Sequence, residues 1–402
     1  MNQTLARTRQ FTISRFLRLT EHKTAQRIVD PDGILRLPSL LKKEQVSCVL
    51  LVTTAGFMRR GTLDHLLSGL EAADIKVAVF AEVTPDPTIE CVEKGVGLYH
   101  RESCGALIAV GGGSAMDCAK IIGARVVCPQ KSVRQMEGML KIGKALPPLY
   151  AVPTTAGTGS EVTAAAVVTD TVNGKHYKYA VSDLHLIPKV AILDANLTTG
   201  LSPEMTAATG MDALTHAVEA YTNKFASPFV RKMARKAVRM IFENLPLACQ
   251  DGTNLAARQN MLEASCYAGI AFTNNFVGYV HAIAHAVGAM YGVPHGKANA
   301  VILPAVLKEY GPSVYKPLSE LADCVGIRGN SDEERARLFI ERIETMQRET
   351  GLPAFIAELK ERDYGEIIAR AMKEGNPDYP VPAIWDAKNF SHVLRAIAPV
   401  KG

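Results

Sequence analysis

Short β-branched runs alternate with longer stretches of helical spacing through the first half of the chain, and this alternation constrains the fold more than any other feature. The runs are 46–52, 76–83, 106–110, 149–152 and 190–193. Between them lie apolar residues three and four apart, as in Leu63, Leu66, Leu67, Leu70 and Ala73. Such alternation predicts a parallel sheet with helices on both faces. After about residue 200 the strand-like runs nearly vanish, and Ala, Leu, Glu and Lys dominate 202–370, which predicts an all-helical second half. The boundary falls near 197–203, where Gly200, Ser202 and Pro203 make a helix start. The expectation is an N-terminal α/β domain over 1–200, built on a parallel sheet, followed by an all-helical domain over 201–402.

The chain has 402 residues, 48% hydrophobic and 21% charged, which is ordinary globular composition with enough apolar content for a large core. Lys plus Arg number 45 against 40 Asp plus Glu, a balance that argues against nucleic acid as a partner. No apolar stretch reaches the roughly 18 residues of a membrane span, so a soluble protein is expected. Its cysteines are scattered, with no Cys-x-x-Cys pair, and read as reduced thiols of a cytoplasmic protein. The first twenty residues carry Arg7, Arg9, Arg15 and Arg18 with Leu5, Phe11, Phe16 and Leu19 and no acid. Some targeting segments share that pattern, as do many basic leading arms.

Run 106–110 leads straight into Gly111-Gly112-Gly113-Ser114-Ala115-Met116-Asp117, and a helix is expected over 118–124. Glycines at a strand-to-helix turn let the backbone approach a pyrophosphate, to which the helix start offers amide donors. The third glycine of the usual dinucleotide fingerprint is replaced by Met116, and the bland alternative is a tight turn with tolerated glycines. A second loop, Pro153-Thr154-Thr155-Ala156-Gly157-Thr158-Gly159-Ser160-Glu161, also follows a strand. Two such loops at the carboxyl ends of strands in one sheet make a nucleotide site the better reading. Thr54, after run 46–52, is neutral where an acid would select NAD(H), and Arg59 and Arg60 lie close by; the choice between NAD(H) and NADP(H) stays open.

In the second half, Asp212 and His216 are four apart, as are His281 and His285, and His295 follows in Val293-Pro294-His295-Gly296. Helical spacing puts each pair on one face. A lone Asp-x-x-x-His is usually a surface or capping pair. Three histidines within fifteen residues of an apolar context, however, need partners, and a shared metal supplies them. Asp212, His216, His281 and His295 offer one carboxylate and three imidazoles, a set suited to Fe(II), Zn(II) or their neighbours. His285 need not coordinate; it could relay a proton beside the reacting centre or be a satisfied core histidine.

These motifs, in this order, resemble the iron-containing (group III) alcohol dehydrogenases from about residue 28 to 380. The resemblance implies a dinucleotide-binding domain, a helical domain, and a cleft with nicotinamide cofactor and metal. It implies Asp212, His216, His281 and His295 as metal ligands and His285 near the nicotinamide. Cofactor contacts carry over to Gly112, Gly113 and Ser114, with Asp117 in the same motif, to Thr154, Thr155 and Thr158, and to Lys178. Thr54 and Asp86 stand where relatives often have Asp and Asn. Phe276 replaces a frequent glycine and Tyr279 a frequent aliphatic residue, changes that either re-aim the pocket or fill a gap. The stretch 376–382 reads as too rigid for a helix interior. The expected activity is reversible hydride transfer between nicotinamide and a small primary alcohol or aldehyde, in a homo-oligomer, a dimer. The rivals are a metal-dependent hydrolase or lyase and a non-catalytic nucleotide-binding relative.

Overall fold

The computed structural model describes residues 3–172 and 175–399 and divides into two compact units. One unit, Lys23–Gly200, is built on a six-stranded sheet. Its strands are β1 (Gln26–Val29), β2 (Cys48–Val52), β3 (Lys76–Phe80), β4 (Ala106–Gly111), β6 (Leu149–Pro153) and β9 (Val190–Leu193), in the order β1-β9-β6-β4-β2-β3. All neighbours are parallel. The central strands β2, β4 and β6 are buried along their whole length, which explains why they read as continuous apolar runs rather than alternating ones. Leu50, Val52, Leu107, Ala109 and Ala151 enter one apolar layer, and Val49, Leu51, Ile108, Val110 and Val152 the other. A smaller sheet of β5 (Gly138–Met139), β7 (Ala165–Val172) and β8 (Lys175–Ser182) was not anticipated, nor was β1. β1 shows a mostly exposed, weakly apolar sequence, and β7 mixes Thr and Asp into its run, so neither carries a strong periodic signal.

The other unit runs from Leu201 onward and, among the described residues, contains helices and no strand. It begins as expected: Ser202 accepts a hydrogen bond from the Met205 amide at 3.1 Å, and Pro203 opens the helix Pro203–Thr222. The expected domain limits need one correction. The N-terminal helix Gln3–Thr20 groups with this unit and not with the sheet. It buries Ala6, Gln10 and Ser14, small or polar residues four apart that allow close approach, and leaves Leu5, Phe11, Phe16 and Leu19 exposed. Arg7 and Gln10 donate to the carbonyls of Val381 and Asn376, at 2.7 and 3.4 Å. Of the stretch 376–382, expected to be too rigid for a helix interior, 376–378 form the end of the helix Tyr364–Asp378 and 379–382 lie outside it.

Candidate metal centre and glycine loops

Within the sheet unit the two loops meet. Gly112 precedes the helix Gly113–Val127, which starts five residues earlier than expected. A Cβ on Gly113 would stand 2.9 Å from Thr158 Cγ2, and one on Gly112 would stand 3.4 Å from Thr155 Oγ1. The bare backbone is therefore what allows the threonine loop to close over the glycine turn. The Thr154 amide donates to the Gly111 carbonyl at 2.9 Å, and Ser114 is half-buried on the first turn. Asp117 is engaged inside the protein: its two oxygens accept from Ser160 Oγ at 2.7 Å and the Val167 amide at 2.9 Å, tying helix to loop. Burial raises its pKa. Thr53 donates to the Val110 carbonyl at 2.8 Å, so the ends of β2 and β4 lie side by side and Thr54 follows directly, in the position before the short helix Ala55–Arg59, its side chain making no capping bond to it. Arg60 stacks over Phe57. Lys178 and Asp86 form an ion pair at 2.5 Å.

Two buried ionisable groups beside these loops gave no sequence signal. The Lys120 ammonium donates to Thr163 O, Thr163 Oγ1 and Ala165 O at 3.0, 2.9 and 2.8 Å, and burial pulls its pKa down to about 8. Burial pushes Glu161 up to about 7. Glu161 ends the threonine–glycine loop and Lys120 lies in the helix after the glycine turn, but neither stands out in sequence, because only the packing around them buries their charges.

In the helical unit, Asp212 and His216 lie on the Pro203–Thr222 helix, His281 and His285 on Tyr279–Tyr291, and His295 opens His295–Tyr310. Asp212, His216 and His281 are buried, and each offers a ligand atom within 4.8 Å of the others. His295 reaches the same carboxylate, its Nε2 3.5 Å from Asp212 Oδ1, but falls outside that three-member group. Gly296 makes this approach possible: a Cβ there would sit 2.3 Å from the Ala208 carbonyl. His216 stacks between Phe272 and His281, with ring centroids 4.3 and 4.5 Å away.

The donor set fits a divalent cation. The Asn299 amide nitrogen lies 2.7 Å from Asp212 Oδ1, 3.2 Å from His281 Nε2 and 3.1 Å from His295 Nε2, so a carboxylate oxygen and two ring nitrogens converge on one small, electropositive group. Burial, reinforced by the surrounding imidazoles, holds the His281 pKa well below its ordinary value and keeps the ring neutral, as a metal ligand must be. Glu219 accepts from His281 Nδ1 at 2.6 Å and from the Val280 amide at 2.8 Å. It thus fixes the tautomer that presents Nε2, an arrangement common around metal-binding histidines. Burial pushes Glu219 up to about 8, while the backbone amides of Gly278, Val280 and His281 pull the other way by favouring the charged carboxylate that accepts from His281 Nδ1. Gly278 leaves room for this carboxylate, since a Cβ there would be 2.8 Å from Glu219 Oε1.

Glu219 and Asn299 were missed in the sequence although the signal was present. Glu219 lies seven residues after Asp212 and Asn299 four after His295, both on the ligand faces of their helices. Glu374, also missed, carried no such signal because it comes from a distant helix; its Oε1 lies 2.7 Å from His285 Nδ1. Tyr279 does not line a pocket. It is fully buried, stacked on Trp385 at 4.7 Å and bonded to Asn376 Oδ1, so its bulk fills a gap. Phe276 is half-buried, 6.2 Å from the Tyr379 ring, and holds φ +58°.

Residues 25–195 match the family described as iron-containing alcohol dehydrogenase, and residues 206–396 match the C-terminal part of the Fe-containing alcohol dehydrogenase family. A 1,3-propanediol dehydrogenase of Klebsiella pneumoniae is 40% identical over 333 residues, covering 81% of this chain and 85% of its own. An NAD-dependent methanol dehydrogenase of Bacillus methanolicus is 33% identical, covering 92% and 97%. The solved structure of an alcohol dehydrogenase from Oenococcus oeni superposes with a TM-score of 0.89 at 31% identity, covering 93% and 98%.

Proposed function

Because this chain belongs to the iron-containing alcohol dehydrogenases, we propose that it interconverts a small primary alcohol and its aldehyde with NAD(H) or NADP(H), using a metal held by Asp212, His216, His281 and His295. The convergence of Asp212, His216 and His281 in a buried cluster carries this reading. Bound there, Fe(II), or Zn(II) in its place, supplies Lewis acidity to a substrate oxygen. The protein's residues supply the rest. Glu219 orients His281, and His285 takes the proton that the alcohol releases. Gly112, Gly113 and Ser114 receive the pyrophosphate, with Thr154, Thr155 and Thr158 closing over it and Asp117 bracing the loop. Thr54 and the Asp86–Lys178 pair complete the cofactor contacts. Thr54 repels neither form of the cofactor, so acceptance of both is expected.

Anaerobic purification with iron and zinc analysis, then a panel of alcohols and aldehydes with both cofactors, tests this reading. Metal-stripped protein that stays folded yet keeps full turnover would overturn it. The free thiols support a cytoplasmic protein. A dimer is the proposed assembly, checked by light scattering; the exposed Leu5, Phe16 and Leu19 of the first helix support self-association. Among the described residues no helix is long and apolar enough to cross a membrane.

A further inference from the structure

His285 is held by a carboxylate that nothing in the ligand motifs foretells. Its Nδ1 lies 2.7 Å from Glu374 Oε1, and the same oxygen accepts from the Tyr379 hydroxyl at 2.7 Å. The His285 ring stacks on His295 with centroids 5.1 Å apart and meets His281 edge-on at 6.0 Å, so it stands directly beside two expected metal ligands. Glu374 belongs to the Tyr364–Asp378 helix and Tyr379 follows that helix's last residue. The neighbouring Gly375 admits this geometry, since a Cβ there would come within 2.9 Å of Tyr279 Cε1. Asn376 then bonds the Tyr279 hydroxyl, whose backbone begins the helix that carries His281 and His285. The two helices are thus pinned together at the point where Glu374 meets His285.

We propose that Glu374 is a positioning residue for His285, with Tyr379 as its anchor. A carboxylate accepts but does not donate, so His285 carries its proton on Nδ1 and presents Nε2 as a free acceptor. In the alcohol-oxidising direction the O–H bond breaks, its electron pair stays on oxygen, and the proton forms an N–H bond at Nε2. Glu374 then faces a cationic imidazolium, which it stabilises until the proton passes to water. A carboxylate that orients a histidine and accepts from its Nδ1–H is a recurring catalytic arrangement. Tyr379 keeps Glu374 from turning away, because its hydroxyl bonds the same oxygen.

This inference rests on the proposed role of His285, and the test separates the two. His285→Ala, Glu374→Leu, Glu374→Gln, Tyr379→Phe and the His285→Ala/Glu374→Leu double variant are purified with metal, and their metal content, kcat and KM for one alcohol are measured. Glu374→Leu should lower kcat about 10- to 100-fold, with KM for the alcohol and bound metal unchanged. Glu374→Gln, which still accepts from Nδ1 but lacks charge, should recover part of that loss, and Tyr379→Phe should cost less than Glu374→Leu. The double variant should be no slower than His285→Ala alone. Nitrogen-15 spectra of the zinc-loaded protein should show the Nδ1–H tautomer at His285 in the parent and its loss in Glu374→Leu. If His285→Ala turns over normally, the proton-carrier role and this inference both fall. If His285→Ala is slow but Glu374→Leu and Tyr379→Phe keep the parent kcat, or if the tautomer is unchanged in Glu374→Leu, only the assignment of Glu374 falls. Should Glu374→Leu not fold, the kcat of Glu374→Gln and Tyr379→Phe decides: parent values in both overturn the assignment.

Discussion

His281 stands between two carboxylates, with Glu219 at Nδ1 and Asp212 Oδ1 3.8 Å from Nε2, and the two acids do different work. Asp212 offers a ligand atom, whereas Glu219 sets the tautomer. His281→Ala should therefore abolish metal retention, measured by elemental analysis, and Glu219→Gln should weaken metal affinity about 10- to 100-fold while leaving the four proposed ligands in place. In the sheet unit, Glu161 makes a prediction of opposite character. Its folded-state pKa, about 7, lies above the ordinary carboxyl value. The folded state therefore binds more protons than the unfolded one between about pH 4.5 and 7, and stability from this group falls as pH rises through that window. The loss is about 3–4 kcal/mol. Glu161→Gln should flatten the decline in Tm between pH 5 and 8; an unchanged slope would exclude this source.

The helices act through how closely they approach. Gly296 lets the start of the His295–Tyr310 helix lie on the backbone of Pro203–Thr222. Gly296→Ala forces a methyl against the Ala208 carbonyl, so it should cost about 1–3 kcal/mol of stability in denaturant titration and lower metal content by moving His295. At the end of the Leu255–Asn275 helix, Phe276 adopts φ +58° and ψ 174°, a region natural to glycine. Phe276→Ala and Phe276→Gly both remove the ring, but only the second relieves the backbone. The glycine variant should be the more stable by about 1–2 kcal/mol, read from the midpoints of chemical unfolding; equal midpoints would show that the backbone is unstrained. Legibility at this scale was uneven. Capped helix starts such as Ser202-Pro203 and continuous β runs could be read locally, whereas β1 and the β7–β8 pair could not, because their stability comes from neighbouring strands rather than their own pattern.

Across the molecule, the proposed metal and nucleotide residues belong to separate compact units, Asp212 to His295 in the helical one and Thr54 to Lys178 in the sheet. Metal removal should accordingly raise amide hydrogen exchange along Pro203–Thr222 and Tyr279–Tyr291 while leaving β2, β4 and β6 protected, an outcome read peptide by peptide. The sequence alone determined the α/β-then-α order, the glycine turn after β4 and the donor types of the candidate cluster, because apolar runs, helix spacing and donor chemistry are local properties of consecutive residues. Only the tertiary structure decided that the first helix joins the helical unit, that Asp117 is a brace, that Tyr279 is packing, and that Glu374, some ninety residues after His285, is its partner. Each of these depends on which faces meet across long separations in the chain. Contacts of that kind are set by packing and leave no period in the residues that make them.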